Sequence, residues 1–104
     1  MSDPWVKVAD REDCPPGRLL AVEAAGEAIV LANVDGSVYA LEDQCSHADF
    51  ALSQGELVGG EVECTLHGAR FDACTGRATR LPAIRKVRVY DVETRADGIY
   101  VKVE

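Results

Sequence analysis

Two short segments, each with one cysteine and one histidine, constrain the fold of this chain more than any other feature. They are Cys45-Ser46-His47 and Cys64-Thr65-Leu66-His67, and together they use both histidines of the 104 residues. Thiolate and imidazole groups suit zinc, copper and iron–sulfur centres. Because sixteen residues separate the segments, a fold that uses all four ligands must bring two separate loops to one place.

Each segment has its sulfur ligand before its nitrogen ligand, and this order distinguishes one metal from two. A Cys2His2 zinc finger usually has both cysteines in one segment and both histidines in the other, because one tetrahedral ion takes all four. Here, segments lying side by side would direct two sulfurs to one point and two nitrogens to another. This arrangement suits a 2Fe-2S cluster in which two histidines replace two cysteines on one iron.

Short alternating or β-branched runs dominate the rest of the chain and predict strands at residues 5–8, 27–31, 37–41, 87–92 and 99–103. Asp35-Gly36 is a hairpin signal, and Ala96-Asp97-Gly98 repeats it. No segment shows a long helical period with caps at both ends. We therefore predict an all-β chain that forms a single domain over residues 1–104, with both cysteine–histidine segments in loops.

The net charge of −7, from eighteen acidic and eleven basic side chains, bears on the choice of partner. It disfavours nucleic acid and anionic membrane surfaces, because both are negative. A basic protein partner is favoured, and simple solubility explains the charge equally well. No apolar run is long enough to cross a membrane, and the start of the sequence does not have the pattern of a secretory signal, so we expect a cytoplasmic protein.

Other features receive simpler interpretations. Cys14 and Cys74 have no histidine nearby in the sequence, and nothing indicates an oxidising compartment, so each is interpreted as a free thiol. A basic stretch late in the chain is interpreted as a solvated strand face rather than a partner site. Its members are Arg77, Arg80, Arg85, Lys86 and Arg88.

The two segments, with Gly68 after the second, resemble the Rieske motif. The flanking residues 34–41 and 71–82 extend the similarity over nearly the whole chain, which resembles the Rieske-type ferredoxins of bacterial aromatic-ring dioxygenase systems. The resemblance implies a Rieske fold of stacked antiparallel sheets. It also implies a cluster-binding subdomain formed by two hairpin loops within about residues 43–82.

By this resemblance the chain carries one Rieske 2Fe-2S cluster, with Cys45 and Cys64 on the buried iron and His47 and His67 on the outer iron near the surface. The chain would be an electron carrier rather than an enzyme, and the two histidines would be the route of the electron. A flavin-dependent, NADH-oxidising ferredoxin reductase would supply the electron, and a terminal Rieske oxygenase would receive it. A monomer is the simplest expectation for such a carrier.

The resemblance also predicts a redox potential near the low end of the Rieske range of about −150 to +300 mV. In high-potential Rieske proteins of quinol-oxidising complexes, a disulfide joins the cluster loops, and a serine and a tyrosine donate hydrogen bonds. The corresponding residues here are Phe50 and Leu66, Ala69, and Phe71, which cannot form these interactions. An electron-rich cluster should hold the protons of its histidine ligands, so we expect the potential to vary little with pH near neutrality.

Three apolar side chains, Phe50, Leu66 and Pro82, are predicted to surround the exposed edge of the cluster. There they would shield the sulfurs and form a docking patch. Packing within the loops explains Phe50 and Leu66 equally well.

Two alternatives remain open from the sequence. Within the Rieske class, the chain could be the small subunit of an assimilatory nitrite reductase or a component of another oxygenase system. From a different class, it could be a structural zinc-binding module, which would be colourless and would unfold on chelation.

Overall fold

The computed structural model describes residues 4–45, 50–65, 68–81 and 85–103. Strands make up most of this part of the chain, together with short 3-10 turns at Arg11–Asp13 and Leu52–Gln54. The strands are β1 (Trp5–Ala9), β2 (Leu19–Ala24), β3 (Glu27–Val34), β4 (Ser37–Glu42), β5 (Glu56–Val58), β6 (Glu61–Cys64), β7 (Ala69–Asp72), β8 (Ala78–Arg80), β9 (Val89–Tyr90), β10 (Val92–Arg95) and β11 (Gly98–Lys102).

Within the described ranges the strands form three antiparallel sheets, which confirms the all-β prediction. The first sheet has the order β1-β11-β10, the second β2-β3-β4-β9 and the third β5-β6-β7-β8. No helix in the part of the chain that the structure describes is long and apolar enough to span a membrane.

The second sheet is the middle layer of the molecule, because its central strand β3 is buried on both faces. Successive side chains of a strand point to opposite faces, and those of β3 divide accordingly between two apolar clusters. Val30 and Ala32 belong to one cluster, whereas Ile29 and Leu31 belong to the other. The continuous apolar run of this strand is therefore explained by packing on both sides.

We call these clusters the first core and the second core. The first core lies between the second and third sheets. Its fully buried members are Val30, Ala32, Leu41, Cys45, Leu52, Val62, Cys64, Ala69, Phe71, Ala73 and Val87. The second core lies between the first and second sheets, and its members are Cys14, Ala24, Ile29, Leu31, Ala40, Ile99 and Val101.

The hairpin predicted at Asp35-Gly36 is confirmed. Both residues have positive φ, 53° and 96°, as a type I′ turn requires. The turn before β11 differs from its prediction, because Ala96 and Asp97 form the two-residue loop and Gly98 already pairs with Arg95 as the first residue of the strand.

The single strand predicted over residues 87–92 is wrong. Val89 and Tyr90 pair with β4 in the second sheet, whereas Val92 pairs with Val101 in the first. The chain changes sheets at Asp91, so the run contains the end of one layer and the start of another. Val87 precedes both strands and is buried in the first core.

Candidate metal centre

Cys64 lies at the end of β6, where the chain turns back into β7. It pairs with Ala69 across the hairpin, and the backbone N–H of Gly68 donates to the carbonyl oxygen of Cys64 at 2.7 Å. Gly68 has φ of 76°, a left-handed conformation that costs a glycine little. The sequence-predicted loop around the second segment is therefore the tip of a tight hairpin, with Cys64 at its base.

Cys45 lies in the connection from β4 to β5, where the chain crosses from the second sheet to the third. Its backbone N–H donates to the carbonyl oxygen of Phe50 at 2.8 Å, which closes the loop that contains the first segment. This segment thus differs from the second, since it lies between two sheets and not between two paired strands.

A carboxylate fastens the ends of this first loop. Asp43 accepts hydrogen bonds from both the backbone N–H and the hydroxyl of Ser53, each at 2.7 Å. Hydrogen bonds to a charged group are stronger than neutral ones. We call this pair the Asp43–Ser53 clasp, and it holds the residues on either side of Cys45 at a fixed separation.

The end of the same loop passes close to Cys64. Gly55 lies so near the backbone of β6 that a side chain there would overlap the carbonyl oxygen of Glu63. Leu52, in the 3-10 turn just before, is fully buried in the first core. The absence of a side chain at Gly55 therefore allows the first loop to pack against the strand that ends in Cys64.

The structure brings both predicted cysteine ligands into one apolar environment. Cys45 is 1% exposed and Cys64 is fully buried, and both belong to the first core together with Phe71 and Val62. Two thiols at the ends of adjacent loops in a region closed to water are a donor set that suits an iron–sulfur cluster. The residues present therefore fit such a group.

The other two cysteines are elsewhere and are free thiols, as predicted. Cys14 is buried in the second core, on the far side of the middle sheet, and burial raises the pKa of its thiol. Cys74 is exposed in the turn between β7 and β8, where its backbone N–H donates to Asp72.

Several predicted residues lie outside the described ranges, namely His47, His67, Leu66 and Pro82. Their placement stays a prediction. Within residues 4–45, 50–65, 68–81 and 85–103, no cluster of three or more histidine, cysteine or acidic side chains forms a metal site.

The structure describes three of the four residues predicted to replace the polar groups of the cluster loops. Ala69 and Phe71 are fully buried in the first core, and Phe50 is half-buried against it. Ala69 and Phe71 have apolar side chains and provide no hydroxyl to this core.

Two of the cations predicted on a solvated strand face, Arg85 and Lys86, lie outside the strands and beside the first loop. Arg85 and Lys86 are exposed and, with Cys45, Glu42 and Gln44, line an open pocket of about 240 Å³. The sequence shows the charges, but only the fold shows that they lie next to a predicted ligand.

Comparison with known proteins identifies the family. Residues 4–91 match the Rieske [2Fe-2S] domain. The biphenyl 2,3-dioxygenase ferredoxin component of Rhodococcus jostii is 43% identical over 98 residues, which cover 94% of this chain and 92% of the relative.

Two solved structures extend this result to the fold. A chain from a complex of reduced oxygenase and oxidized ferredoxin in carbazole 1,9a-dioxygenase aligns with a TM-score of 0.91 and 34% identity, over 99% of this chain and 96% of that one. The ferredoxin of carbazole 1,9a-dioxygenase from Nocardioides aromaticivorans IC177 gives 0.91 and 36%, over 96% and 98%.

These matches extend over nearly the full length of both partners, and they agree with the two buried cysteines at the ends of adjacent loops. They show that the cofactor is a 2Fe-2S cluster, so the interpretation as a structural zinc-binding module is rejected. The chain belongs to the Rieske [2Fe-2S] family and is a Rieske-type ferredoxin of the aromatic-ring dioxygenase kind, an electron-transfer component that carries one Rieske 2Fe-2S cluster.

Proposed function

We propose that this chain is the one-electron carrier of a multicomponent aromatic-ring dioxygenase, receiving electrons from an NADH-dependent flavin reductase and passing them to the terminal oxygenase. The observation that supports this most strongly is the likeness to a chain in the solved complex of reduced oxygenase and oxidized ferredoxin in carbazole 1,9a-dioxygenase. Relatives named as ferredoxin components of biphenyl and naphthalene dioxygenase systems support the same role.

The proposed ligands are Cys45 and Cys64 on one iron and His47 and His67 on the other. The two cysteines share the first core, and each histidine follows its cysteine by two or three residues. A short loop that starts at a buried cysteine can carry its histidine outward, toward the surface where a partner would approach. The proposal assigns no catalytic group, since the relatives are named as ferredoxin components of dioxygenase systems.

When bound, a 2Fe-2S cluster takes up and releases one electron at a time. The protein's part is to hold the ligands and to exclude water from them. Phe71, Val62 and Leu52 pack around the two thiols, and the Asp43–Ser53 clasp and the Gly68 turn fix the loops. Hydrogen bonds to cluster sulfurs raise the potential, and the apolar Ala69 and Phe71 provide none, so a low potential is proposed.

Further parts of the proposal concern the state of the protein. We propose that it acts as a monomer in the cytoplasm, that residues 1–104 form a single Rieske domain, and that the cluster loops lie within about residues 43–82. The described strands on both sides of these loops pack against the same middle sheet, which supports one domain. Light scattering of the purified holoprotein would give the molar mass of a single chain if the monomer is correct.

Reconstitution tests the proposed function. The holoprotein is combined with the reductase and the oxygenase of the biphenyl dioxygenase system of Rhodococcus jostii, and NADH consumption is measured against dihydroxylated product. We expect product to depend on the chain, with one NADH consumed per product. The matched control is Cys64→Ser, which should not support turnover. Reduction of the chain by the reductase without transfer to any dioxygenase would contradict the assignment.

A further inference from the structure

The positive charge of this acidic chain is concentrated in one segment. Between Asp72 and Asp91 there are five cations and no acidic residue, so residues 73–90 carry +5 and the remainder carries −12. The cations are Arg77, Arg80, Arg85, Lys86 and Arg88, and all five are exposed. The net charge of −7 therefore conceals two regions of opposite sign.

One of these cations, Arg80, lies close to the level of Cys64 in the third sheet. Arg80 pairs with Arg70, which in turn pairs with Glu63, the residue just before Cys64. Because β7 and β8 are antiparallel, the chain after Arg80 runs toward the tip of the β6–β7 hairpin, where Cys64 lies. The next residue is Leu81, which is 74% exposed.

The pocket beside Cys45 places two more cations at the same end of the molecule. Its open rim includes Arg85 and Lys86, next to the first loop. We define Arg80, Leu81, Arg85 and Lys86 as the basic flank. Arg80 lies 3.7 Å from Glu63, an ion pair that leaves 58% of its side chain exposed. Arg88 is not included in the flank, because it lines a separate pocket with Glu27 and Tyr90.

We propose that the basic flank is a docking surface for an acidic face of the protein that exchanges electrons with this chain. This inference rests on the proposed function, since it describes where and by which charges the carrier meets its partner. It reverses the sequence-based expectation of a basic partner. The exposed Leu81 beside Arg80 adds an apolar contact to the charges, and arginine and apolar side chains together are typical of protein interfaces.

Screening explains why the flank, rather than the net charge, would control docking. At physiological ionic strength, charges more than about 8 Å apart are largely screened from each other when exposed to solvent. A partner that approaches the loops of Cys45 and Cys64 closely meets the three cations of the basic flank at short range. The acidic remainder acts mainly at low salt and at long distance.

Two inorganic oxidants of opposite charge test the electrostatic potential at the basic flank. Reduced holoprotein is mixed with ferricyanide or with hexaamminecobalt(III), and the oxidation rate is followed by visible absorbance as the salt is raised from about 0.15 M to about 1 M. This change shortens the Debye length from about 8 Å to about 3 Å, so the range begins where the distant acidic charges are already screened. We expect the ferricyanide rate to fall about tenfold, as for attracted reactants, and the cobalt rate to rise.

The matched variants separate the flank from the net charge. Arg85→Glu with Lys86→Glu should invert both salt dependences. The control, Arg11→Glu with Arg18→Glu, changes the net charge by the same amount at exposed positions outside the flank and should leave the sign of each dependence unchanged. An equal response of the two double variants would overturn the proposal.

Binding of poly-L-glutamate to the oxidised holoprotein tests docking by a macromolecule. We expect binding by the native chain, loss of at least tenfold in affinity in the Arg85→Glu, Lys86→Glu variant, and no loss in the control. A docking surface would be contradicted if the native chain did not bind poly-L-glutamate. It would also be contradicted if the flank substitutions changed the ferricyanide rate but not the affinity for poly-L-glutamate. These experiments need no dioxygenase, so an intact cluster with the wrong salt dependence rejects the flank without rejecting the electron carrier.

Discussion

The two cores of this molecule have similar apolar composition but are built in different ways. The second core is enclosed by regular strands of five to eight residues, β1, β2, β3, β4 and β11, in well-paired sheets. The first core is closed on one side by strands of three or four residues and by the loop at residues 43–55. Both cysteines assigned to the cluster are in the less regular core.

This difference indicates how the two halves are stabilised. Regular cross-strand pairing stabilises the second core. The first core has short strands and long connections, and metal binding that requires a folded site adds its free energy to folding. We therefore infer that the cluster contributes much of the stability of the first core and little of that of the second.

Serine substitution of one cysteine in each core gives the largest expected contrast. Cys64→Ser should abolish the cluster absorbance and lower the unfolding temperature, because a predicted ligand is lost from the first core. Cys14→Ser, its control in the second core, should keep the full absorbance. Visible absorbance and thermal unfolding measure both, and loss of colour in Cys14→Ser would contradict the separation of the cores.

Large-to-small substitution of buried side chains sharpens the same contrast. Phe71→Ala and Ile99→Ala each remove a fully buried side chain, at an expected cost of about 2–5 kcal/mol in the free energy of unfolding. Only Phe71→Ala opens the first core, so it should also lower the iron content per chain. Equal iron contents in two equally destabilised variants would show that the first core does not protect the cluster.

A smaller effect is expected at the Asp43–Ser53 clasp. Ser53→Ala removes one hydrogen bond to a half-buried carboxylate, and such bonds contribute about 1.5–3 kcal/mol. The variant should lose its cluster faster in the presence of a chelator. Thr75→Ala, which removes a hydroxyl acceptor in an exposed turn, is the control, and equal rates of loss in the two variants would contradict a role for the clasp.

The smallest effect concerns the reactivity of the two free thiols. Iodoacetamide should modify the exposed Cys74 and leave Cys14 unmodified in the native protein, as peptide mass spectrometry would show. The buried Cys14 also makes stability depend on pH. Burial raises the pKa of the Cys14 thiol in the folded state. The neutral thiol's contribution to the free energy of unfolding is therefore complete below the ordinary thiol pKa and is lost as the pH rises through the raised value. Unfolding should therefore become easier at alkaline pH in the native chain and less so in Cys14→Ser.

Much of the fold could be predicted from local pattern. The Asp35-Gly36 turn needs positive φ at both positions, and few residues other than Asn, Asp and Gly tolerate it. The hairpin turn at Ala25-Gly26 was not identified, because Ala25 has φ of 51° in a residue type that rarely adopts this conformation. The pairing across the sheet, rather than the local sequence, holds it there.

What the sequence could not provide is the assignment of segments to layers. Residues 87–92 have one continuous strand pattern, yet Tyr90 and Val92 pair in different sheets. The same limit applies to the candidate site. Cys14 and Cys45 are equally buried, and the sequence, which separates them by the nearby His47, does not show that they lie in different cores on opposite faces of β3. The sequence shows that Arg85 and Lys86 are cations. It does not show that the chain folds back after β8 and places them beside Cys45.

The central claim, that two histidines and two cysteines hold the cluster, can be tested with one isotope label. The chain has only two histidines, so protein grown with ¹⁵N-histidine is labelled only at His47 and His67. Pulsed electron paramagnetic resonance of the reduced protein should then show hyperfine coupling to two ¹⁵N nuclei in place of two ¹⁴N nuclei. A spectrum without coupling to histidine nitrogen would show that the histidines are not ligands and would contradict the account.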